Sequence, residues 1–152
     1  MTTKPVISLR QRALNYLSRR EHSRRELQHK LATFAEESDD NTDEINALLD
    51  DFQKRGWLSD ERFAEQVVHA RKSRYGSMKI AHELREKGVD EGLVVSAVED
   101  VDDFRNAKSV WQRKFGELPA NREAWAKQAR FLQSRGFGFD VIKRVLNNTP
   151  EE

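Results

Sequence analysis

Apolar residues recur along the chain with the period of an α-helix. A clear example has apolar side chains at positions i, i+3, i+4 and i+7, namely Ile45, Leu48, Leu49 and Phe52. This spacing places the side chains on one face of a helix. Residues 93–98 contain three valines and are also compatible with a strand, but Asp90 as a cap and the helical period favour a helix. The pattern predicts an all-α fold with about nine helices.

Residues of the types that begin and end helices separate these periodic segments. Ser23 and Glu26 have the spacing of a capping box, in which each side chain satisfies an orphan backbone amide. Further residues suited to the N-cap position are Ser8, Thr42, Ser59, Ser77, Asp90, Asp103 and Asn121. Glycines that follow a periodic segment predict left-handed positions at the helix ends, at Gly56, Gly88, Gly116 and Gly136.

The sequence also repeats itself. Glu26-Leu27-x-x-Lys30 returns as Glu83-Leu84-x-x-Lys87, and the pattern of residues 84–89 returns 48 positions later at 132–137. We predict three tandem three-helix units at 8–57, 58–102 and 103–148, between tails at 1–7 and 149–152, with an acidic linker at 35–43 inside the first unit. Since units this small bury little apolar surface alone, they must stack, and we expect an elongated array.

Composition excludes several classes of protein. Lys plus Arg number 27 and Asp plus Glu number 26, so the net charge is +1, which does not favour disorder driven by charge repulsion. Cysteine is absent, which excludes disulfides, thiolate metal sites and a cysteine nucleophile. No apolar run suits a membrane span or a signal peptide, so we expect a cytoplasmic protein without a membrane partner. The histidines lack metal-ligand spacing and no glycine-rich phosphate loop occurs, so we predict no enzyme activity, no metal and no cofactor.

The near-zero net charge conceals a segregated distribution. Residues 36–51 hold eight acidic and no basic residues, whereas residues 105–135 hold eight basic and two acidic ones. Basic residues recur beside Tyr75-Gly76 and Phe115-Gly116, where the aromatic rings are of a type that stacks on bases. A solvated helix face explains any one of these cations, but their recurrence favours a surface for a phosphate backbone or an acidic protein groove, without base-specific contacts. The candidate contact residues are Arg71, Lys72, Arg74, Lys79, Arg85 and Lys87, followed by Lys108, Arg113, Lys114, Lys127 and Arg130.

The middle of the chain resembles the signature of the RecX family. The resemblance is carried by Trp57-Leu58-Ser59-Asp60-Glu61-Arg62-Phe63-Ala64, then Arg71, then Gly76-x-x-Lys79-Ile80-x-x-Glu83-Leu84-x-x-Lys87-Gly88-Val89. Upstream, His22-Ser23-x-x-Glu26-Leu27-x-x-Lys30-Leu31 is similar to the first repeat of that family. Ser59 stands where the family pattern usually has Asp, and Val67 stands where an aromatic residue is common.

The resemblance implies a regulator of the RecA recombinase. Family members resemble curved rods of three-helix repeats that lie in the groove of the RecA–DNA filament and inhibit recombinase, ATPase and co-protease activity in DNA repair, recombination and SOS control. The family motif supports Arg71, Lys79 and Lys87 by position. The expected partners are the RecA filament and single- and double-stranded DNA bound without sequence preference, and the expected state is a monomer. Two alternatives stay open, a general nucleic-acid-binding helical protein acting without RecA and a protein-interaction scaffold that does not bind DNA.

Overall fold

The computed structural model describes residues 7–35 and 42–147, and within these ranges it contains nine α-helices and no strand. The all-α prediction is therefore confirmed, while residues 36–41 of the predicted acidic linker lie outside the described residues. None of the described helices is long and apolar enough to cross a membrane. The helices are α1 (Leu9–Arg19), α2 (Arg24–Ala35), α3 (Thr42–Lys54), α4 (Asp60–Arg71), α5 (Ser77–Glu86), α6 (Glu91–Val98), α7 (Asp103–Lys114), α8 (Arg122–Ser134) and α9 (Phe139–Leu146).

The helices pack in consecutive groups of three. Separate buried apolar clusters are formed by α1–α3 with Leu58, by α4–α6 with Val89 and by α7–α9 with Phe137, and all extensive helix–helix contacts join helices of the same group. We refer to these groups as the first, second and third units. Each cluster holds only seven to nine buried residues, so the units are too small to be independently very stable and depend on stacking. The boundaries at 57/58 and 102/103 stay predictions.

Most helix ends are those that the sequence predicts. Side chains at the N-cap accept hydrogen bonds from first-turn amides at Ser8, Ser59, Asp90 and Asn121, and Ser23 accepts one from the Glu26 amide at 3.1 Å. The other half of the predicted capping box is wrong, because the Glu26 carboxylate accepts hydrogen bonds from Arg20 and not from the Ser23 amide. The four predicted glycines all have positive φ angles, between 74° and 92°. After three of them the next amide donates back to the end of the helix, for example from Phe137 to the Leu132 carbonyl at 3.2 Å.

The predicted N-caps at Ser77 and Asp103 are wrong, for a reason that lies in the tertiary structure. The N-cap of α5 is Gly76 and that of α7 is Asp102, so Ser77 and Asp103 are each the first residue of a helix. The Asp103 carboxylate accepts a hydrogen bond from the Ser77 amide at 2.9 Å and another from the Ser77 hydroxyl. Asp103 therefore satisfies the start of a helix in the preceding unit.

The middle helices of successive units meet end to end. At the start of α2, the Ser23 hydroxyl donates to the carbonyl of Lys87, the C-cap residue of α5, at 2.7 Å. At the start of α5, the Gly76 amide donates to the carbonyl of Arg135, the C-cap residue of α8, also at 2.7 Å. Because each positive helix N-terminus meets a negative C-terminus, these junctions are electrostatically favourable. They arrange α2, α5 and α8 in series, which gives the predicted elongated array.

Candidate polyanion-binding surface

Basic side chains from two units surround the ring of Tyr75, which lies half-buried in the turn before α5. The Lys79 Nζ lies 4.8 Å from the ring centroid, and the guanidinium carbons of Arg74 and Arg135 lie 5.6 and 5.5 Å from it. Lys79 follows Tyr75 by one helical turn, whereas Arg135 comes from the end of α8 in the third unit. The junction between the second and third units therefore assembles the cations around this ring.

The ring of Phe131 extends the same surface over the third unit. The guanidinium carbon of Arg135 lies 5.1 Å from the Phe131 centroid, and the Lys114 Nζ lies 5.5 Å from it. Phe115 packs edge-on against Phe131, with 5.4 Å between the centroids. Phe115 thus supports Phe131 as part of the periphery of the third apolar cluster.

Toward the first unit the surface continues as a depression. Arg71 and Glu83 form an ion pair at 3.1 Å. Both residues line a cleft of about 200 Å³ with Tyr75 and Lys79, and both also line a cleft of about 350 Å³ that contains Arg20, Glu26 and Lys87. Both clefts are lined by Arg71 and Glu83, so they adjoin at this ion pair. We call the two clefts, together with the Tyr75 and Phe131 surface, the basic cleft. Its cations are Arg20, Arg71, Arg74, Lys79, Lys87, Lys114 and Arg135. Glu21, Glu26 and Glu83 line it as well, beside Arg20, Arg71 and Lys87, so within the described part of the chain the cations without a paired carboxylate are those around Tyr75 and Phe131.

The carboxylate of Glu26 joins the first and second units in the wall of this cleft. Its side chain is 9% exposed, and Arg20 donates hydrogen bonds to its two oxygens at 3.0 and 2.7 Å. The Lys87 Nζ lies 3.6 Å from the same carboxylate. Burial by itself raises the pKa of Glu26, but the hydrogen bonds and charge of Arg20, with Lys87, outweigh it and lower the pKa to about 2. The carboxylate is therefore ionised at neutral pH.

His22 holds the turn between α1 and α2 next to this ion pair. Its side chain is buried, with Nδ1 3.0 Å from the Arg20 carbonyl oxygen and Nε2 2.9 Å from the Lys30 Nζ. A carbonyl can only accept and an ammonium group can only donate, so the ring is neutral with its proton on Nδ1. Burial lowers the pKa of His22 and favours the same neutral form. His22 is therefore a structural group of this turn.

Six of the eleven predicted contact residues lie on the basic cleft or brace it. Arg71, Arg74, Lys79, Lys87 and Lys114 belong to the cleft itself. Arg113 donates to the Ser73 carbonyl at 2.6 Å and so braces the turn that carries Arg74 and Tyr75.

The other five predicted residues lie elsewhere or at the edge of this surface. Arg85 is held by Glu91 through two hydrogen bonds of 2.8 Å. Lys72 lines a separate cleft with Asp100 and Asp102, and the Lys108 Nζ lies 6.0 Å from the Phe104 ring. On α8, Arg130 lines an apolar groove with Met78 and Trp125, and Lys127 is exposed one turn before Phe131.

Two cations of the cleft, Arg20 and Arg135, are not among the residues that the sequence singled out. For Arg135 the internal repeat held a usable signal, because it occupies the position that corresponds to Lys87 at the 48-residue offset. Arg20 lies in the basic N-terminal segment, where nothing in the local pattern distinguishes it from its neighbours.

Comparison with known protein domains explains the threefold organisation. Models of the first, second and third three-helix domains of RecX match residues 10–33, 59–98 and 100–146, respectively. The chain belongs to the RecX family. This confirms the family resemblance and the fold that it implies. RecX is named as a family of regulatory proteins and not as an enzyme family.

Full-length relatives support the assignment. The regulatory protein RecX of Ralstonia nicotianae is 48% identical over 142 residues, which cover 92% of this chain and 87% of that protein. The regulatory protein RecX of Chromobacterium violaceum is 45% identical over 139 residues, with coverage of 91% and 89%. The crystal structure of RecX from Lactobacillus salivarius superimposes with a TM-score of 0.77, covers 92% of this chain and 93% of that one, and is 21% identical, so this likeness concerns the fold alone.

Proposed function

We propose that this chain regulates the RecA recombinase by binding along the RecA–DNA filament, where it lowers ATP hydrolysis, strand exchange and co-protease activity. Membership in the RecX family supports the proposal, and the observation that carries it is the group of cations, Arg74, Lys79, Lys114 and Arg135, that surrounds Tyr75 and Phe131 across the second and third units. An elongated array with cations along one surface suits the polyanionic groove of a nucleoprotein filament. Contacts of about 1 kcal/mol each, distributed over linked units, then add up to tight, salt-sensitive binding.

The same surface favours phosphate contacts without sequence preference. Lys and Arg side chains in a cleft bind the backbone of single- and double-stranded nucleic acid alike, whereas reading a sequence requires side chains placed against base edges. We therefore extend the proposal to non-specific contacts with both single- and double-stranded DNA. We also propose that the chain acts as a monomer in the cytoplasm.

Charge reversal within the cleft tests the proposal. Arg74 and Lys114 are suitable because their cations face aromatic rings, whereas Lys79 also donates to the Ser134 carbonyl at 3.2 Å. We expect the double variant Arg74→Glu, Lys114→Glu to require about tenfold more protein for half-inhibition of DNA-dependent ATP hydrolysis by the cognate RecA. The matched control is Lys72→Glu, Lys108→Glu, which changes the net charge equally on other surfaces and should inhibit like the wild type.

The outcomes separate this function from its alternative. Equal weakening by both double variants, with unchanged helicity in circular dichroism, would show a general charge effect and contradict the role of the cleft. If the wild type bound bare DNA but left ATP hydrolysis by RecA unchanged, the chain would instead be a nucleic-acid-binding protein that acts without RecA.

A further inference from the structure

On the basis of the proposed function, we propose that Arg135 is a main phosphodiester contact of the basic cleft and that its site forms only when the second and third units are docked. Tyr75 belongs to the second unit, whereas Arg135 and Phe131 belong to the third. Binding of the nucleic-acid strand and docking of the second and third units are then coupled.

The surroundings of Arg135 leave its guanidinium available to a ligand. The group is flanked by the rings of Tyr75 and Phe131, at 5.5 and 5.1 Å from their centroids. No carboxylate of the described residues lies within 4.0 Å of it, whereas Arg71 and Arg85 are each paired with a glutamate. A planar guanidinium oriented by aromatic rings keeps its donors for a phosphate and loses little side-chain freedom on binding.

The position of Arg135 relative to Tyr75 is set by two glycines at the junction. The Gly76 amide donates to the Arg135 carbonyl at 2.7 Å. A Cβ atom on Gly76 would lie 2.3 Å from the Gly136 carbonyl oxygen, and one on Gly136 would lie 2.4 Å from the Lys79 Cβ. The units therefore approach closely only because neither position carries a side chain.

Coupling follows from thermodynamic linkage. A ligand that contacts Arg135 together with cations of the second unit binds the docked arrangement better than a separated one, and so stabilises the junction. By reciprocity, a change that loosens the junction must weaken binding even when every cation of the cleft is retained.

Substitution of Arg135 tests the contact directly, with labelled oligothymidylate as the probe and fluorescence anisotropy measured over a range of NaCl concentrations. We expect Arg135→Gln to weaken binding by about fivefold near 0.1 M salt and to reduce the slope of log K against log salt by about 0.7. Arg135→Lys should retain the slope. The matched control is Arg144→Gln, because Arg144 also faces a ring, 4.0 Å from the Phe104 centroid in the same unit. Unchanged binding by Arg135→Gln, or equal losses in both variants, would overturn the assignment.

The junction variants test the coupling. Gly76 and Gly138 are both N-cap residues, with φ angles of −80° and −75°, but a Cβ on Gly138 would lie 3.7 Å from its nearest neighbour, the Met78 sulfur. We expect Gly76→Ala to weaken oligothymidylate binding severalfold while Gly138→Ala binds normally. In the wild type, the oligonucleotide should slow amide hydrogen exchange at residues 73–80 and 131–138. Normal binding by Gly76→Ala with accelerated exchange at the junction would contradict the coupling.

Competition and RecA assays complete the test. Displacement of the oligonucleotide by ATP at equimolar concentration would identify a free nucleotide as the ligand and overturn the phosphodiester assignment. If Arg135→Gln bound oligothymidylate like the wild type while the wild type inhibited RecA, the inference would fail while the proposed function stood. If the wild type bound the oligonucleotide through Arg135 but never affected RecA, the proposed function would fail instead.

Discussion

At the scale of single residues, the turn between α1 and α2 is held by buried groups whose charges are set by their partners. His22 accepts a hydrogen bond from Lys30 and is neutral, while Glu26 is ionised between Arg20 and Lys87. Since Lys87 belongs to the second unit, the Glu26 carboxylate is part of the junction as well as of the turn. The loss of its charge should therefore weaken both.

The lowered pKa of Glu26 predicts a defined acid dependence of stability. Because the folded-state pKa of about 2 lies below the ordinary value of 4.5, the contribution is complete at neutral pH and is lost as the pH falls from about 4.5 toward 2. We expect Glu26→Gln to lower the free energy of unfolding by roughly 2 kcal/mol at pH 7 and by much less near pH 2. Urea titrations at both pH values measure this. The control is Glu86→Gln, which alters an exposed pair with His82 and should leave the free energy of unfolding nearly unchanged at both pH values. If Glu26→Gln lowered the free energy of unfolding equally at both pH values, the prediction would be contradicted.

At the scale of the helices, consecutive aspartates act on different helices. The Asp102 side chain accepts from the Arg105 amide at 3.0 Å and so caps its own helix, α7. The next residue, Asp103, accepts from the Ser77 amide and thereby caps α5. Asp60 has the equivalent role in the first junction, where it accepts from the Arg24 amide at 2.8 Å. The first residue of the first helix in each following unit thus completes the middle helix of the unit before it.

This division of roles predicts different local effects of two neighbouring substitutions. We expect Asp102→Ala and Asp103→Ala each to cost about 1 kcal/mol, the usual loss on removing a helix cap. Amide hydrogen exchange should accelerate in the first turn of α7 for Asp102→Ala, but in the first turn of α5, from Ser77 onward, for Asp103→Ala. Acceleration confined to α7 in both variants would refute the capping of α5 by Asp103.

At the scale of the whole molecule, three small cores are joined mainly at helix ends. The extensive helix–helix packing lies inside the units, so stability should be a sum of unit stabilities and junction energies. Leu132 and Leu27 are equivalent fully buried residues of the third and first units.

The array therefore predicts that a core defect destabilises its own unit first. We expect Leu132→Ala to cost about 2–5 kcal/mol and to accelerate hydrogen exchange chiefly in α7–α9. Leu27→Ala should act chiefly in α1–α3, which makes each variant the control of the other. If either variant accelerated amide hydrogen exchange uniformly over all nine described helices, the three units would instead unfold as one cooperative unit.

The helices, most of their caps, the left-handed glycines and the threefold repeat with its family could all be predicted from residue patterns along the chain. These features depend on neighbours within a few residues, or on a repeat that is visible along the chain, so periodicity and residue type predict them. Which cations form the cleft was decided by the tertiary structure. Arg135 reaches Tyr75, and Asp103 reaches Ser77, only because the units stack end to end. That approach depends on contacts between residues far apart in sequence, which no local pattern records.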